Sequence, residues 1–195
     1  MAESLKTVDE WFGKLDHAKE ITTKLHFYYQ DTLTGEKRTI WKVAESDITS
    51  TSPTSFGLIY MVDNLLAAGP DPDSQVVGRA QGTAGFADLH NIALQMGLNF
   101  VFTEGEYKGS TISVLGRNPV VEENCRELPI VGGTGVFRMA RGVVITTTYS
   151  FDETTSNAVS ILLPLFITVG LHLRKNFKQL DTILLSLFIT VGLHR

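Results

Sequence analysis

Asp31 is the residue whose position most suggests chemistry. It ends a run in which Leu25, Phe27, Tyr29 and Asp31 share one face of a strand, while Lys24, His26, Tyr28 and Gln30 share the other. An inward carboxyl at the end of an apolar stripe sits at the edge of an apolar cavity. Desolvation there raises its pKa and fits it for hydrogen bonding or proton transfer. A strand-end aspartate that merely bonds a turn has the same spacing, so spacing leaves both readings open. Arg79 and Arg141, each within a glycine-containing strand, are either buried partners for such a carboxylate or outward-facing residues.

Other chemistries find less support. The five histidines, at 17, 26, 90, 172 and 194, have no metal-ligand spacing with one another or with Cys125, and no Gly-x-Ser-x-Gly elbow occurs. Cys125 is the only cysteine, which excludes an intrachain disulfide, and no histidine or asparagine constellation marks it as a nucleophile. Gly132-Gly133-Thr134-Gly135 invites comparison with a dinucleotide loop. However, the third glycine of that fingerprint would fall at Arg138, and the residues that follow have strand rather than helix periodicity. Without a helix N-terminus there is nothing to hold a pyrophosphate, so the segment reads as a tight β corner.

The elements that must position Asp31 read as strands. Ile21–Asp31, Arg38–Val43, Phe56–Asp63, Val76–Asp88 and Ala93–Thr103 alternate or run apolar, separated by turns at 33–36, a Ser/Thr-rich loop at 46–55 and a proline-stiffened loop at 69–73. Gly78, Gly82 and Gly85 inside one strand suggest bulges or sharp barrel bends. A further strand starts at Ser110, turns at Gly116-Arg117-Asn118-Pro119 and passes a charged segment. After the glycine corner, Phe137, Met139, Arg141, Val143, Ile145, Thr147 and Tyr149 fall on one face at strand spacing. No helix of three turns is needed between residues 21 and 157, which favours a closed or sandwiched all-β domain.

Both ends break this style. Residues 1–20 are polar, with Val8, Trp11, Phe12 and Leu15 at helical spacing; the absence of an apolar run reads as no secretory signal and, taken by itself, predicts a cytosolic chain. Ile161–Leu173 and Ile183–Arg195 match at 11 of 13 positions. Their uncharged runs fall short of the roughly 20 residues a membrane helix requires. Three segments result: a polar extension over 1–20, a β domain over 21–159, and a duplicated apolar tail over 160–195 that replaces or supplies a closing strand. Pro164 lacks the amide such a strand needs, whereas the second copy has no proline.

Apolar residues make up 43% and charged residues 19%, a globular composition. The net charge of −4, with no basic cluster beyond Arg174-Lys175, argues against nucleic acid as a partner.

Five stretches carry a resemblance: LHFYYQD, VDNLLAAGPDPDSQVVGRAQG, LNFVFTEGEYKGSTISVLGRNPV, RELPIVGGTGVFRMARG and TYSFDETTSNAV. In order and spacing they resemble the plant dirigent proteins over about Thr23–Val159. The resemblance implies an eight-stranded antiparallel up-and-down β-barrel related to allene oxide cyclase, with an atypical final strand here. It also implies a homotrimer, an apoplastic location and no cofactor.

Dirigent proteins orient phenoxy radicals of a monolignol such as coniferyl alcohol, which an external laccase or peroxidase generates, and so fix the handedness of the lignan. Carried over residue by residue, the family acid that closes the first-strand motif is Asp31, with Phe27 and Tyr29 beside it. The family's second acid position is held here by Asn118, as in the dirigent-like branch. The arginine ahead of the glycine corner is Arg126, and of the aromatics after Ala-Gln-Gly only Phe86 remains. The resemblance thus assigns Asp31 and Arg126 to catalysis and Phe27, Tyr29, Phe86 and Asn118 to substrate binding. The related pterocarpan synthases, which dehydrate an isoflavanol through a quinone methide, supply an alternative activity. A barrel that only carries a phenolic ligand, or a tail-driven membrane-associated module, is the third.

Overall fold

Alternation builds almost everything in the computed structural model, which describes residues 8–15, 20–121 and 125–170. In Leu94–Phe102, for example, Met96, Leu98, Phe100 and Phe102 turn inward while the residues between them face outward. Nine strands form: β1 Glu20–Asp31, β2 Ile40–Ala44, β3 Ile59–Ala67, β4 Val76–Phe86, β5 Leu94–Phe102, β6 Thr111–Asn118, β7 Arg126–Thr134, β8 Arg141–Asp152 and β9 Asn157–Gly170. Eight close antiparallel in the order β1-β9-β8-β7-β6-β5-β4-β3, and β3 meets β1 again. The eight-stranded barrel expected from the sequence is the observed architecture.

The ninth strand explains how the closure works. β1 reaches β3 only through Tyr28–Gln30 against Leu65–Ala67, and β2 covers the other half of the β3 edge, from Ile40 opposite Val62 to Ala44 opposite Ile59. Between them the chain turns back, with the Thr39 N–H bonded to the Thr32 carbonyl at 2.8 Å and the Asp63 N–H bonded to the Thr39 carbonyl at 2.9 Å. β1 and β2 together act as one interrupted strand. The interruption falls beside Asp31.

Three sequence readings are corrected. Gly116-Arg117-Asn118 is not a turn: β6 continues through Asn118, pairing Asn118 with Leu94. Gly116 is a strand glycine because a Cβ there would lie 2.7 Å from Cδ of Pro129 on β7, so the two misleading residues explain each other. The end of the charged segment, from Arg126 on, is the start of β7, where Arg126, Leu128 and Ile130 point inward and Glu127, Pro129 and Val131 outward. Phe137 and Met139 do not belong to the following strand. A single 3-10 turn spans Gly135–Phe137, and within β8 it is Val144 and Thr146 that are buried, the opposite parity from the expected stripe. The glycine corner therefore leads into a turn and a strand, not into a helix.

β9 incorporates the first apolar copy as far as Gly170. Its register shifts against both neighbours in one place: Leu165 and Leu162 oppose Leu25 and Phe27, while Phe166 and Leu163 oppose Val143 and Ile145. Both ladders therefore skip a residue at the proline. The missing amide of Pro164 falls in a bulge, where the ladder is already interrupted. The second copy lies outside the described residues.

The barrel interior is packed unevenly. At one end the rings of Phe27, Phe102, Tyr107 and Phe137 pack with centroids 5.1–5.7 Å apart. Phe100, Ile112, Val144 and Ile167 are fully buried in the same core. In β4, Gly82 lets β5 approach so closely that a Cβ would stand 2.0 Å from the Gly97 carbonyl oxygen. Arg79 and Arg141 serve the outside: Arg79 holds Asp63 at 2.5 Å, and Arg141 pairs with Glu20. Neither reaches the interior carboxyl. Residues 8–12, separate from the barrel unit, form a short helix in which the Trp11 and Phe12 rings meet edge to face at 5.0 Å. No helix among the described residues is long and apolar enough to cross a membrane.

Candidate functional site

Opposite the aromatic end the interior is left partly empty, forming a cavity of about 780 Å³. Its wall is apolar over Val62, Leu94, Met96, Leu98 and Leu128, with Tyr60 and Phe86 at 6.4 Å between ring centroids. Polar groups enter from the strand ends: Tyr29 and Asp31 from β1, Asn118 from β6, Arg126 from β7, and Thr146 and Thr148 from β8. A volume of this size lies within the ~300–1,000 Å³ of sites that bury a drug-sized molecule.

The structure brings Tyr29, Asp31, Phe86, Asn118 and Arg126 to this one cavity. Phe27 is not among its lining residues. It lies one residue pair further down β1, 8% exposed, against Phe102 in the packed end. Alternation places Phe27 on the inner face but says nothing about how far along the barrel the empty space extends.

Asp31 is held by side chains. Asn64, fully buried at the centre of β3, donates its Nδ2–H to Asp31 Oδ1, and its own Oδ1 accepts from the hydroxyl of Thr39. The Tyr29 phenol stands beside both Asp31 and Asn64 and interacts electrostatically with them. Burial pushes the Asp31 carboxyl up to about 7, even though Asn64, Tyr29 and the positive charge of Arg126 all favour its ionised form. Burial and the adjacent carboxyl likewise hold the Tyr29 phenol well above its usual range. The arrangement can store a proton near neutral pH and release it into an apolar space.

Arg126 is 3% exposed, and its terminal nitrogens donate to Thr148 Oγ1 at 3.1 and 3.2 Å and to the Val120 carbonyl at 3.5 Å. Asn118 is 7% exposed and donates its amide to Met96 Sδ at 3.0 Å. Among the described residues no three His, Cys, Asp or Glu side chains gather as they would around a metal ion.

Sequence reasoning missed Asn64, Thr39, Tyr60 and the β8 threonines. One signal was available: Val62, Asn64 and Leu66 share a parity, so Asn64 is a polar residue in an otherwise apolar inward stripe. Thr39 carried none, because its part depends on how the 32–39 turn folds back on β3.

The profile of the family described as Dirigent-like protein matches residues 22–169, all but the outermost residues of the barrel and all the cavity residues. The chain belongs to the dirigent family. It is 46% identical over 150 residues to Dirigent protein 23 of Arabidopsis thaliana, covering 76% of this chain and 80% of that one. It is also 41% identical over 145 residues to Pterocarpan synthase 1 of Glycine max, covering 74% and 78%. Among solved structures, a pterocarpan synthase dirigent protein superposes with a TM-score of 0.74 at 38% identity, covering 79% of this chain and 93% of that one. As a dirigent barrel, this chain places Tyr29, Asp31, Asn118, Arg126 and Thr146 around one cavity and closes the other end with aromatic rings.

Proposed function

We propose that this dirigent protein directs the stereoselective coupling of phenoxy radicals derived from monolignols such as coniferyl alcohol. The radicals come from an external laccase or peroxidase, and the protein itself carries out no oxidation. The observation that carries this reading is Asp31, the one carboxyl among the described lining residues, on the wall of an otherwise largely apolar cavity. Apolar walls and the Tyr60–Phe86 pair suit flat phenolic rings, and a bias of about 1.4 kcal/mol between competing faces already gives tenfold selectivity.

Coupling joins the side-chain carbons of two radicals and leaves a bis-quinone methide. Each quinone methide closes when a side-chain hydroxyl oxygen attacks its exocyclic carbon and the ring carbonyl takes up a proton. Asp31 donates that proton and recovers one from the attacking hydroxyl, so the closure consumes no acid. A carboxyl with a pKa of about 7 is protonated often enough at neutral pH to do so. The guanidinium of Arg126 favours the anionic form in between.

A second reading has its own support in the 41% identity to a pterocarpan synthase and the presence of one acid rather than two. In it Asp31 protonates the departing hydroxyl of an isoflavanol, and water leaves as the para- or ortho-phenol gives up its proton to form a quinone methide. A second phenolic oxygen of the same molecule closes the ring, its proton passing to the quinone-methide oxygen while the proton released earlier restores Asp31. One experiment separates the two: supply coniferyl alcohol with a laccase, supply an isoflavanol with no oxidant, and resolve the products on a chiral column. Enantiomeric excess in the first mixture only supports radical coupling, and ring closure in the second supports dehydration. A racemate with no ring closure overturns both.

A further inference from the structure

We propose that Asn64 is the positioning residue that fixes the Asp31 carboxyl, with its amide locked from behind by the hydroxyl of Thr39. The inference concerns the site assigned above, but its test requires no substrate. Three segments meet at this point. Asp31 ends β1, Asn64 sits mid-strand in β3, and Thr39 ends the turn that carries the chain from β1 to β2.

An asparagine amide can face a carboxyl with either end, and the chain of donors decides which. Thr39 Oγ1 accepts the backbone N–H of Thr32 at 3.2 Å and gives its single proton to Asn64 Oδ1. That turns the Asn64 amino group toward Asp31, where it donates to Oδ1. An acid whose Oδ1 is committed as an acceptor carries its proton on Oδ2. The lock thereby fixes both the orientation of the carboxyl and the oxygen that transfers the proton. Asn64 is fully buried and is not among the cavity-lining residues, so it acts through Asp31 and not on a ligand.

The titratable or charged groups facing Asp31 are Tyr29 from its own strand and Arg126 from β7, with the phenol of Tyr60 on β3 lining the same cavity. The donor from Asn64 favours the ionised form, so removing it raises the pH at which Asp31 titrates. A hydrogen bond to a charged group is worth enough to move that midpoint by about one to two pH units.

The experiment follows the ¹³Cγ resonance of Asp31 against pH in the ligand-free full chain, assigned with Asp31→Asn. Asn64→Leu should raise the midpoint by about one to two units, and Thr39→Val, which frees the amide to rotate, by about half as much. Thr39→Ser keeps the hydroxyl and should restore the original midpoint. Should Asn64→Leu, at a buried position, fail to fold, the Thr39 pair decides. Equal midpoints in the original chain, Thr39→Val and Thr39→Ser overturn the proposal. A shifted midpoint without any product control would leave this inference standing and remove the functional reading above.

Discussion

Asp31→Asn should make the protein more stable and less active, with the gain confined to one side of the pH scale. The unfolded chain releases the Asp31 proton near the ordinary value of 3.8, whereas the folded protein holds it up to about 7. Between those values the folded state binds more protons, so stability falls as pH rises. Below about pH 4 both states are protonated and nothing is lost; above about pH 7 both are ionised and the loss is complete. A rise of about three pH units, at ~1.36 kcal/mol each, sets a ceiling of ~4 kcal/mol.

Asparagine is close in shape, still offers an oxygen to the Asn64 amide, and cannot ionise. At about pH 8.5 the variant should therefore exceed the original protein by up to ~4 kcal/mol, and at about pH 4 by almost nothing. For a chain of this size that ceiling is a Tm gain of about 8–16 °C. Urea denaturation at about pH 4, 5.5, 7 and 8.5, with the variant beside the original, measures it directly. A difference that is the same at every pH, or a variant weakened at about pH 8.5, would refute the claim that burial poises this carboxyl. Enantiomeric excess or ring closure should fall in the same variant, since it holds no transferable proton.

The glycine corner separates two neighbours cleanly. Gly132→Ala meets nothing within 4 Å and should stay within about 0.5 kcal/mol of the original, while Gly133→Ala, whose Cβ would lie 2.5 Å from the Thr111 carbonyl and 2.6 Å from that of Phe137, should cost about 3 kcal/mol or more in denaturation. Phe27→Ala should cost ~3–5 kcal/mol of stability but leave product handedness unchanged, because Phe27 fills the closed end. Phe86→Ala should do the reverse, with little change in Tm and a measurable drop in enantiomeric excess. Arg126→Met removes a positive charge that favours ionised Asp31 and should raise the Asp31 midpoint by about half a unit to one, read by NMR titration.

How much of this was legible follows from what each residue has to signal. The Leu25–Phe27–Tyr29–Asp31 stripe alternates without exception, and the structure buries the first three and half-buries Asp31 at the cavity wall. β7 alternates as well, but its inward set begins with an arginine and its outward set contains a proline, and both read as evidence against a strand. The reasons it is one are non-local: Arg126 reaches Thr148 on β8, and Pro129 sits over a glycine of β6. The closing strand was obscured in the same way by Pro164, which a bulge accommodates. Local pattern reveals which face a residue takes; where the cavity ends and what lies across the barrel depend on register.

Register also bears on the question that spacing left open about Asp31, since it sets Asn64 of β3 and the cavity beside that carboxyl. This protein contains aspartates that do make turn hydrogen bonds, and they behave alike. Asp88 accepts the backbone N–H groups of His90 and Asn91 at 2.9 and 3.0 Å, and Asp152 accepts that of Thr154 at 2.8 Å. Both are held below the usual carboxylate range, Asp88 by the backbone donors of His90 and Asn91 and Asp152 by the Thr155 hydroxyl and the Thr154 backbone. Asp31 departs in the opposite direction although it too is surrounded by donors, because burial in the barrel interior outweighs them. A turn aspartate ionises more readily on folding; this one ionises less readily, and at a cost to stability that a role confined to the turn would not require. Asp31 is therefore placed to hold a proton.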